Sequence, residues 1–433
     1  MPHPYLHLLA DRRLRRLAAG DLLSCVGDGM AVVAIPWEAL HLANLQGVSE
    51  GLAVSAAAGA YALVGVPLAL AAGLGRFRPD PRSSLLADCA LRGTVLVLIG
   101  ALAASGHLGL WGLVGLLAAG SVLHPLALSS RRLIATDLAG PEQRLAVNSL
   151  LVTQLSLATW TIGPALGGLV TATIGAAVAL ALDGASFLPL LLAALVLPAS
   201  AGRHGTEPRR RGQRSGLAVL RSRRAVAGLL ALTLAVDLLY YPVEVALPIH
   251  VQQTLGGAQV LGAMWAGFGA GAVAGSLLAS LLARLPQRYV LVGNIAGWAL
   301  ALGAFTASSQ VLWALAAFTL GGVLWAPFIP MVYTLVQGEV TPDEQQPVLT
   351  IWTAIILAAA PLGLALGGPL VTALGAAGTL WTSAAFTLAL GAVALVTLIL
   401  ASGGGGSPQH RPAGDHRPSR SAIEPAHRPQ DPG

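Results

Sequence analysis

"TIGPALGGLV", Thr161–Val170, puts one proline and three glycines inside an apolar run. In water such a stretch breaks a helix, because proline removes an N–H and glycine loses backbone entropy. It is not a local accident. "GPALGGLVTATIGA" (Gly163–Ala176) returns as "GLALGGPLVTALGA" (Gly363–Ala376) at an offset of 200 residues. The chain is therefore built twice over, from a segment that suits lipid better than water.

Composition leads to the same reading. Soluble domains carry about 25% charged residues, whereas this 433-residue chain is 10% charged and 55% hydrophobic. The apolar residues form twelve blocks, at 17–42, 51–75, 83–106, 108–130, 146–171, 175–199, 226–250, 257–283, 289–308, 311–336, 347–372 and 376–400. Each is long enough to cross a hydrocarbon core of roughly 30 Å as a helix. A transmembrane barrel would show alternating segments of roughly ten residues instead, and none are present. The fold class expected is an all-α polytopic membrane protein of twelve transmembrane helices.

The net charge of +6 comes from 25 arginines and no lysine. These arginines precede the first block, fall between blocks 2 and 3, 4 and 5, 6 and 7, and 8 and 9, and recur in the tail, with Arg92 alone just inside the third block. The alternate loops, such as "HLANLQGVSE" and "HVQQTLGGAQ", have none. Positive residues mark the cytoplasmic side of a membrane protein, so both termini and the basic loops are expected there, in a cell membrane. This alternation argues against nucleic acid as a partner. Without lysine there is no P-loop for a nucleotide and no Schiff base. No cofactor, metal cluster or hydrolase motif is visible, and the chain does not read as an enzyme. Cys25 and Cys89 lie in separate blocks and read as small apolar fillers. The first block is too long and too acidic for a cleaved signal peptide.

The expected organisation is a basic N-terminal segment (1–16), a six-helix bundle (17–199), a basic linker (200–225), a second six-helix bundle (226–400) and a disordered Gly/Pro/Arg-rich tail (401–433). Further repeats tie the halves together. "GSVLHP" (Gly120–Pro125) parallels "GGVLWAP" (Gly321–Pro327), and "DLLSCVGDGMAVVAIP" (Asp21–Pro36) parallels "DLLYYPVEVALP" (Asp237–Pro248) with a gap. Two parallel six-helix repeats describe a rocking transporter with its site between them at mid-membrane.

Residues 10–400 resemble the major facilitator superfamily, in the branch of the macrolide-efflux proteins and the enterobactin exporter. The resemblance rests on "LLSCVGDGMAVVAIPW", "LLADCALRG", and the run "ATDLAGPEQRLAVNSLL…IGPALGGLV…LDGASFL". "GPALGG" is similar to the fifth-helix motif of drug/proton antiporters. The resemblance implies proton-driven export by a monomeric transport unit, with helices 1, 4, 7 and 10 around a central cavity. It also implies a gating role for Asp88 and Arg92. The Asp-Arg pair the family carries between helices 2 and 3 falls here on Arg76 and Phe77, with Asp80 displaced between prolines, so that gate is degraded.

A charge at the bilayer centre costs about 2.5–3.5 kcal/mol on insertion scales, so acids inside the blocks are candidates for function. Asp28, Glu38, Asp237 and Glu244 lie on the implied cavity helices and are the proton-coupling candidates. Asp237 and Glu244 are seven residues apart and share a helical face. Asp183 reads as structural. Asp21 and Asp88 read as solvated or paired, Asp88 with Arg92 one turn on. Trp37, His124, Tyr240, Tyr241 and Trp325 supply the aromatic part of a substrate cavity. Gly163, Pro164, Gly167 and Gly168, with Gly363, Gly367 and Gly368, are expected to form flat seams, the first copy meeting helix 8 of the other half. Gly267, Gly271 and Gly275 repeat every four residues and read as a helix-packing ridge rather than a nucleotide loop. The leading expectation is proton-coupled efflux of lipophilic or amphiphilic small molecules. A metabolite uniporter or symporter and a non-transporting sensor or scaffold are the alternatives.

Overall fold

The computed structural model describes residues 10–73, 80–198, 201–202, 216–282 and 284–403. The basic linker's centre, Arg76 and Phe77 of the degraded gate, and the tail beyond residue 403 lie outside them. Among the described residues eleven helices are long and apolar enough to cross a membrane. The last, Pro342–Gly403, turns back at Gly375, where φ is 72° and ψ 171°. Only glycine takes that conformation cheaply, so one long helix becomes two crossings and the total is twelve. Gly175, the matching residue of the first repeat, has φ 121° and makes the same turn.

In chain order the crossings are α1 (Arg12–Gln46), α2 (Glu50–Leu63, continued by Val66–Gly73), α3 (Pro81–Ala104) and α4 (Leu110–Ser121, then His124–Ala139). They continue with α5 (Arg144–Gln154, Leu155–Ile162 and Gly163–Thr173), α6 (Ala176–Leu195), α7 (Arg224–Thr254) and α8 (Ala258–Leu282). The rest are α9 (Gln287–Ala307), α10 (Val311–Trp325, then Phe328–Glu339), and α11 and α12, the two arms of Pro342–Gly403. They form two six-helix bundles. A short helix, Gly216–Ser222, lies in the expected linker. α1 starts at Arg12 under an Asp11 cap that accepts from Arg13 N and Leu14 N, so the basic residues 12–16 are part of the helix. The final helix likewise runs to Gly403, three residues into the expected tail.

Prolines set the breaks. α4 is interrupted at Val122 and Leu123, shortly before Pro125, and α10 at Ala326 and Pro327. α5 keeps its course through the opening stretch by widening: Leu155–Ile162 is a π-helix, and Gly163 N–H reaches back five residues to Ala158 O. Pro164 has no N–H to give Trp160 O, and its ring would strike that carbonyl in a tight turn. The wider turn accommodates it.

The repeated glycines lie on two faces, and the expected seam is corrected here. A Cβ on Gly163 would fall 2.6 Å from Gly29 Cα, and one on Gly167 2.6 Å from Met30 Cα, both in α1 of the same half. Gly168 is the residue that meets α8: its Cβ would fall 2.8 Å from Ala258 O and Gly262 Cα. Residues four apart share a helix face, and the next residue points about 100° away. The second copy divides the same way. Gly363 and Gly367 press on Tyr241 and Val245 of α7, and Gly368 faces Ser55 and Gly51 of α2 in the other half. Each motif thus holds its own bundle together with two glycines and meets the opposite bundle with the third. In the α8 ridge, Gly267, Gly271 and Gly275 all face α10 through Thr319 and Val323.

The bundles join at the end opposite the basic loops. There Ser55 Oγ donates to Leu364 O at 2.6 Å, Gln253 Nε2 donates to Glu50 Oε2 at 3.0 Å, and Ser49 and Thr372 hydroxyls lie 3.5 Å apart.

Candidate functional site

Between the bundles lies a cavity of about 780 Å³, lined by α1, α2, α5, α7, α8, α10 and α11. Its lining reaches Val152 and Leu277, both exposed, towards the basic-loop end. Asp28, Asp237 and Glu244 line it, together with Tyr240, Tyr241 and Trp325. Trp37, Glu38 and His124 do not. Trp37 and Glu38 sit past Pro36 of α1, where Glu38 is buried and Trp37 packs on the core. Helix rotation decides this: Asp28, Val32, Ile35 and Pro36 take the cavity face and the next two residues turn away from it.

Asp237 and Glu244 are on α7, where Pro242 lies between them inside the helix. The Tyr240 hydroxyl interacts with Glu244 one turn on. Tyr240 stacks on Trp325 of α10, with centroids 4.6 Å apart and planes at 17°. Trp325 also stacks on Phe328 and packs on Trp298. Trp265 and Phe268 of α8 extend the wall, and Trp265 lies 6.0 Å from Trp160 of the other half. Sequence reasoning missed Trp160, Trp265 and Phe268. Trp265 and Phe268 flank Gly267, the first glycine of the α8 ridge, and that proximity was the available signal.

Asp28 is not a free carboxylate. Arg92 Nη2 of α3 donates to Asp28 Oδ1 and to the Tyr61 hydroxyl of α2. Arg92 Nη1 donates to His124 Nδ1 at 2.9 Å. Arginine has no acceptor, so His124 accepts at Nδ1 and is neutral there. His124 therefore orients the arginine rather than lining the cavity. The guanidinium also lies 4.6 Å from the Phe187 ring centre. The Asp88–Arg92 pairing is present only at 3.9 Å, and Asp88 is equally 3.9 Å from Arg131 of α4. Arg131 binds Asp21 at 3.0 Å. Asp21 and Asp88 are buried, so both belong to an interior cluster rather than a solvated surface. Asp80, displaced from the family's gate, caps α3 by accepting from Ser83 N and Oγ.

The cavity is thus asymmetric. Among the described residues its lining carries three acids and no basic residue. Arg92 compensates Asp28 from behind the wall, and no described arginine or histidine lines the cavity beside Asp237 and Glu244. Aromatic faces with their negative quadrupoles surround those two acids. This surface suits an apolar body bearing positive charge. Among the described residues no cluster of His, Cys, Asp and Glu could hold a metal ion.

Comparison with known proteins fits this architecture. A family model described as a transmembrane secretion effector matches residues 6–409. The multidrug efflux pump Tap of Mycobacterium tuberculosis is 27% identical over 399 residues, covering 86% of this chain and 90% of Tap, and Tap of Mycobacterium bovis aligns equally. Among solved structures, the nucleoside transporter NupG superposes with a TM-score of 0.67 at 12% identity, covering 90% of this chain and 99% of its own. A bacterial homologue of the human lysosomal transporter Spinster, in an inward-facing and unoccupied conformation, gives 0.66 at 14% identity, covering 90% and 96%. At such identities these two structures speak to the fold alone.

Proposed function

The chain belongs to the transmembrane secretion effector family of major facilitator transporters, and from that premise we propose that it exports lipophilic, amphiphilic molecules, cations foremost, in exchange for protons. The observation that carries the reading is the cavity whose lining acids Asp237 and Glu244, among the described residues, have no basic residue beside them in the wall and are set among stacked aromatics. An organic cation and a proton compete for such acids. Occupation by one expels the other, which is the coupling an antiporter requires.

Alternating access supplies direction. In this reading the basic-loop end is cytoplasmic, as arginine placement favours. The cavity then faces the cytoplasm while the Gly168–Gly262 and Gly368–Gly51 seams close the outer side. Substrate enters from the cytoplasm or inner leaflet, the bundles rock, and protons from outside displace it. The transport unit is a single chain in the cell membrane, and its partners are the substrate, protons and lipid.

The test uses proteoliposomes with an imposed pH gradient and two probes of equal shape, tetraphenylphosphonium and tetraphenylborate. Gradient-driven accumulation of the cation and not the anion is expected, lost in Asp237→Asn/Glu244→Gln. Accumulation that ignores the gradient, or favours the anion, overturns the proposal.

A further inference from the structure

Behind the cavity wall lies a second group of charges, which reaches the cavity itself at Asp28 and Tyr61. It gathers Asp21, Cys25 and Asp28 from α1, Tyr61 from α2, Asp88 and Arg92 from α3, His124 and Arg131 from α4, and Asp183 from α6. Four carboxylates face two guanidiniums. Asp21 is bound by Arg131, Asp28 by Arg92, and Asp88 is shared between the two arginines. Asp183 is left over. It is 1% exposed, and neither of its carboxylate oxygens has a hydrogen-bond partner among the described residues.

An ionised carboxylate buried with no hydrogen-bond partner is costly, and such groups neutralise instead. Asp183 is also placed next to the one acid of the cluster that reaches the cavity. Its Oδ1 lies against Gly27, where a Cβ would be only 2.5 Å away, and Gly27 precedes Asp28 in α1. One turn beyond Asp183 on α6, Phe187 lies against the Arg92 guanidinium. Arg92 thus stands beside both acids, while only Asp28 lines the cavity.

We propose that Asp183 is a buried proton-binding site that shares one proton with Asp28, Arg92 pairing with whichever of the two is ionised. The exchange balances without any outside reactant: the proton leaves the Asp183 carboxyl, an Asp28 oxygen takes it up, and the guanidinium transfers its hydrogen bonds from Asp28 to Asp183. In the arrangement seen here Arg92 is on Asp28, so Asp183 holds the proton. In the other arrangement the proton is on Asp28, at the cavity wall, from which it can leave. Asp28 is the door and Asp183 the store. The inference assigns a role to the N-terminal bundle that the substrate acids on α7 do not fill.

Infrared difference spectroscopy on the full-length protein in liposomes tests this without requiring transport, so it stands or falls separately from the export reading. The wild type should show the carbonyl stretch of a protonated carboxyl that exchanges slowly in deuterium oxide. Asp183→Asn should remove that band and Asp183→Glu should shift it. The decisive variant is Asp28→Asn, in which Arg92 retains Asp88 nearby and gains Asp183 as its ion partner. There the band should vanish although Asp183 is intact. A band that survives in Asp28→Asn overturns the exchange and leaves Asp183 as a static neutral residue. A wild type with no band that Asp183→Asn removes overturns the site itself.

Discussion

Gly168→Ala is the sharpest mechanical perturbation of this molecule. The added Cβ would stand 2.8 Å from Ala258 O and Gly262 Cα and 3.2 Å from Gln259 Cα, all backbone atoms of α8. Carbon atoms rest at about 3.5–4.0 Å, so α5 and α8 must part by about 1 Å. Backbone cannot yield as a side-chain end does, and overpacking of this kind costs about 1–3 kcal/mol. The cost falls on the arrangement in which this seam is closed, which is the one with the cavity open towards the basic loops. A bias of that size changes the balance between two conformations by about five- to 150-fold. Spin labels on cysteines placed at Leu145 of α5 and Arg284 beyond α8, both exposed near the basic-loop end, report it, since Cys25 and Cys89 are buried. The variant should gain a shorter distance component. Gly163→Ala, which presses on α1 within one bundle, should lower stability and leave the distances alone. Unchanged distances in Gly168→Ala would refute the seam as part of a moving interface.

Three further outcomes are expected. Arg92→Leu leaves part-buried Asp28 without its partner and buried Asp88 with Arg131 alone, and should destabilise the protein by about 3 kcal/mol, the low end for a broken buried pair, read as a fall in the thermal midpoint that Asp28→Asn in the same chain partly restores. Trp325→Ala removes the face on which Tyr240 stacks, and tetraphenylphosphonium should bind about thirtyfold more weakly, the equivalent of about 2 kcal/mol of desolvated cation–π contact; equal affinity by tryptophan-independent titration would contradict the aromatic wall. At the start of α11, outside the membrane span, the Thr341 backbone N–H and then Arg223 hold Glu344 below its ordinary carboxylate value of 4.5. A lowered folded-state value means stability present at neutral pH and lost as pH falls through it, so Glu344→Gln should flatten the acid limb of the stability profile below about pH 4.5, and an unaltered limb would count against the cap.

The sequence carried the architecture in full view because lipid demands long apolar blocks and the repeat at an offset of 200 relates the halves. Gly175 and Gly375 even mark equivalent turns. The partners were harder to read. A glycine pair such as Gly163 and Gly167 says that a helix face is flat, yet which helix lies on it is a matter of rotation, and α1 took the place expected for α8. Asp237, Glu244, Tyr240, Tyr241 and Trp325 were reachable because they fall at mid-span. Arg92 was visible as a charge inside α3, and an intramembrane arginine requires an acid at its own depth. Its i,i+4 neighbour Asp88 was the local choice, but the long side chain reaches across to Asp28, a contact 64 residues away in sequence. The π-turn before Pro164 was likewise implicit in the proline and fell outside a reading in ideal helices.

In the export cycle proposed above, an organic cation and protons compete for Asp237 and Glu244. The most direct measurement of that competition is proton release in weakly buffered detergent solution as tetraphenylphosphonium is added, repeated down an acid titration. Cation affinity should fall as pH is lowered, binding on that limb should expel protons, and both effects should disappear in Asp237→Asn/Glu244→Gln. Binding that is independent of pH and releases no proton would contradict it.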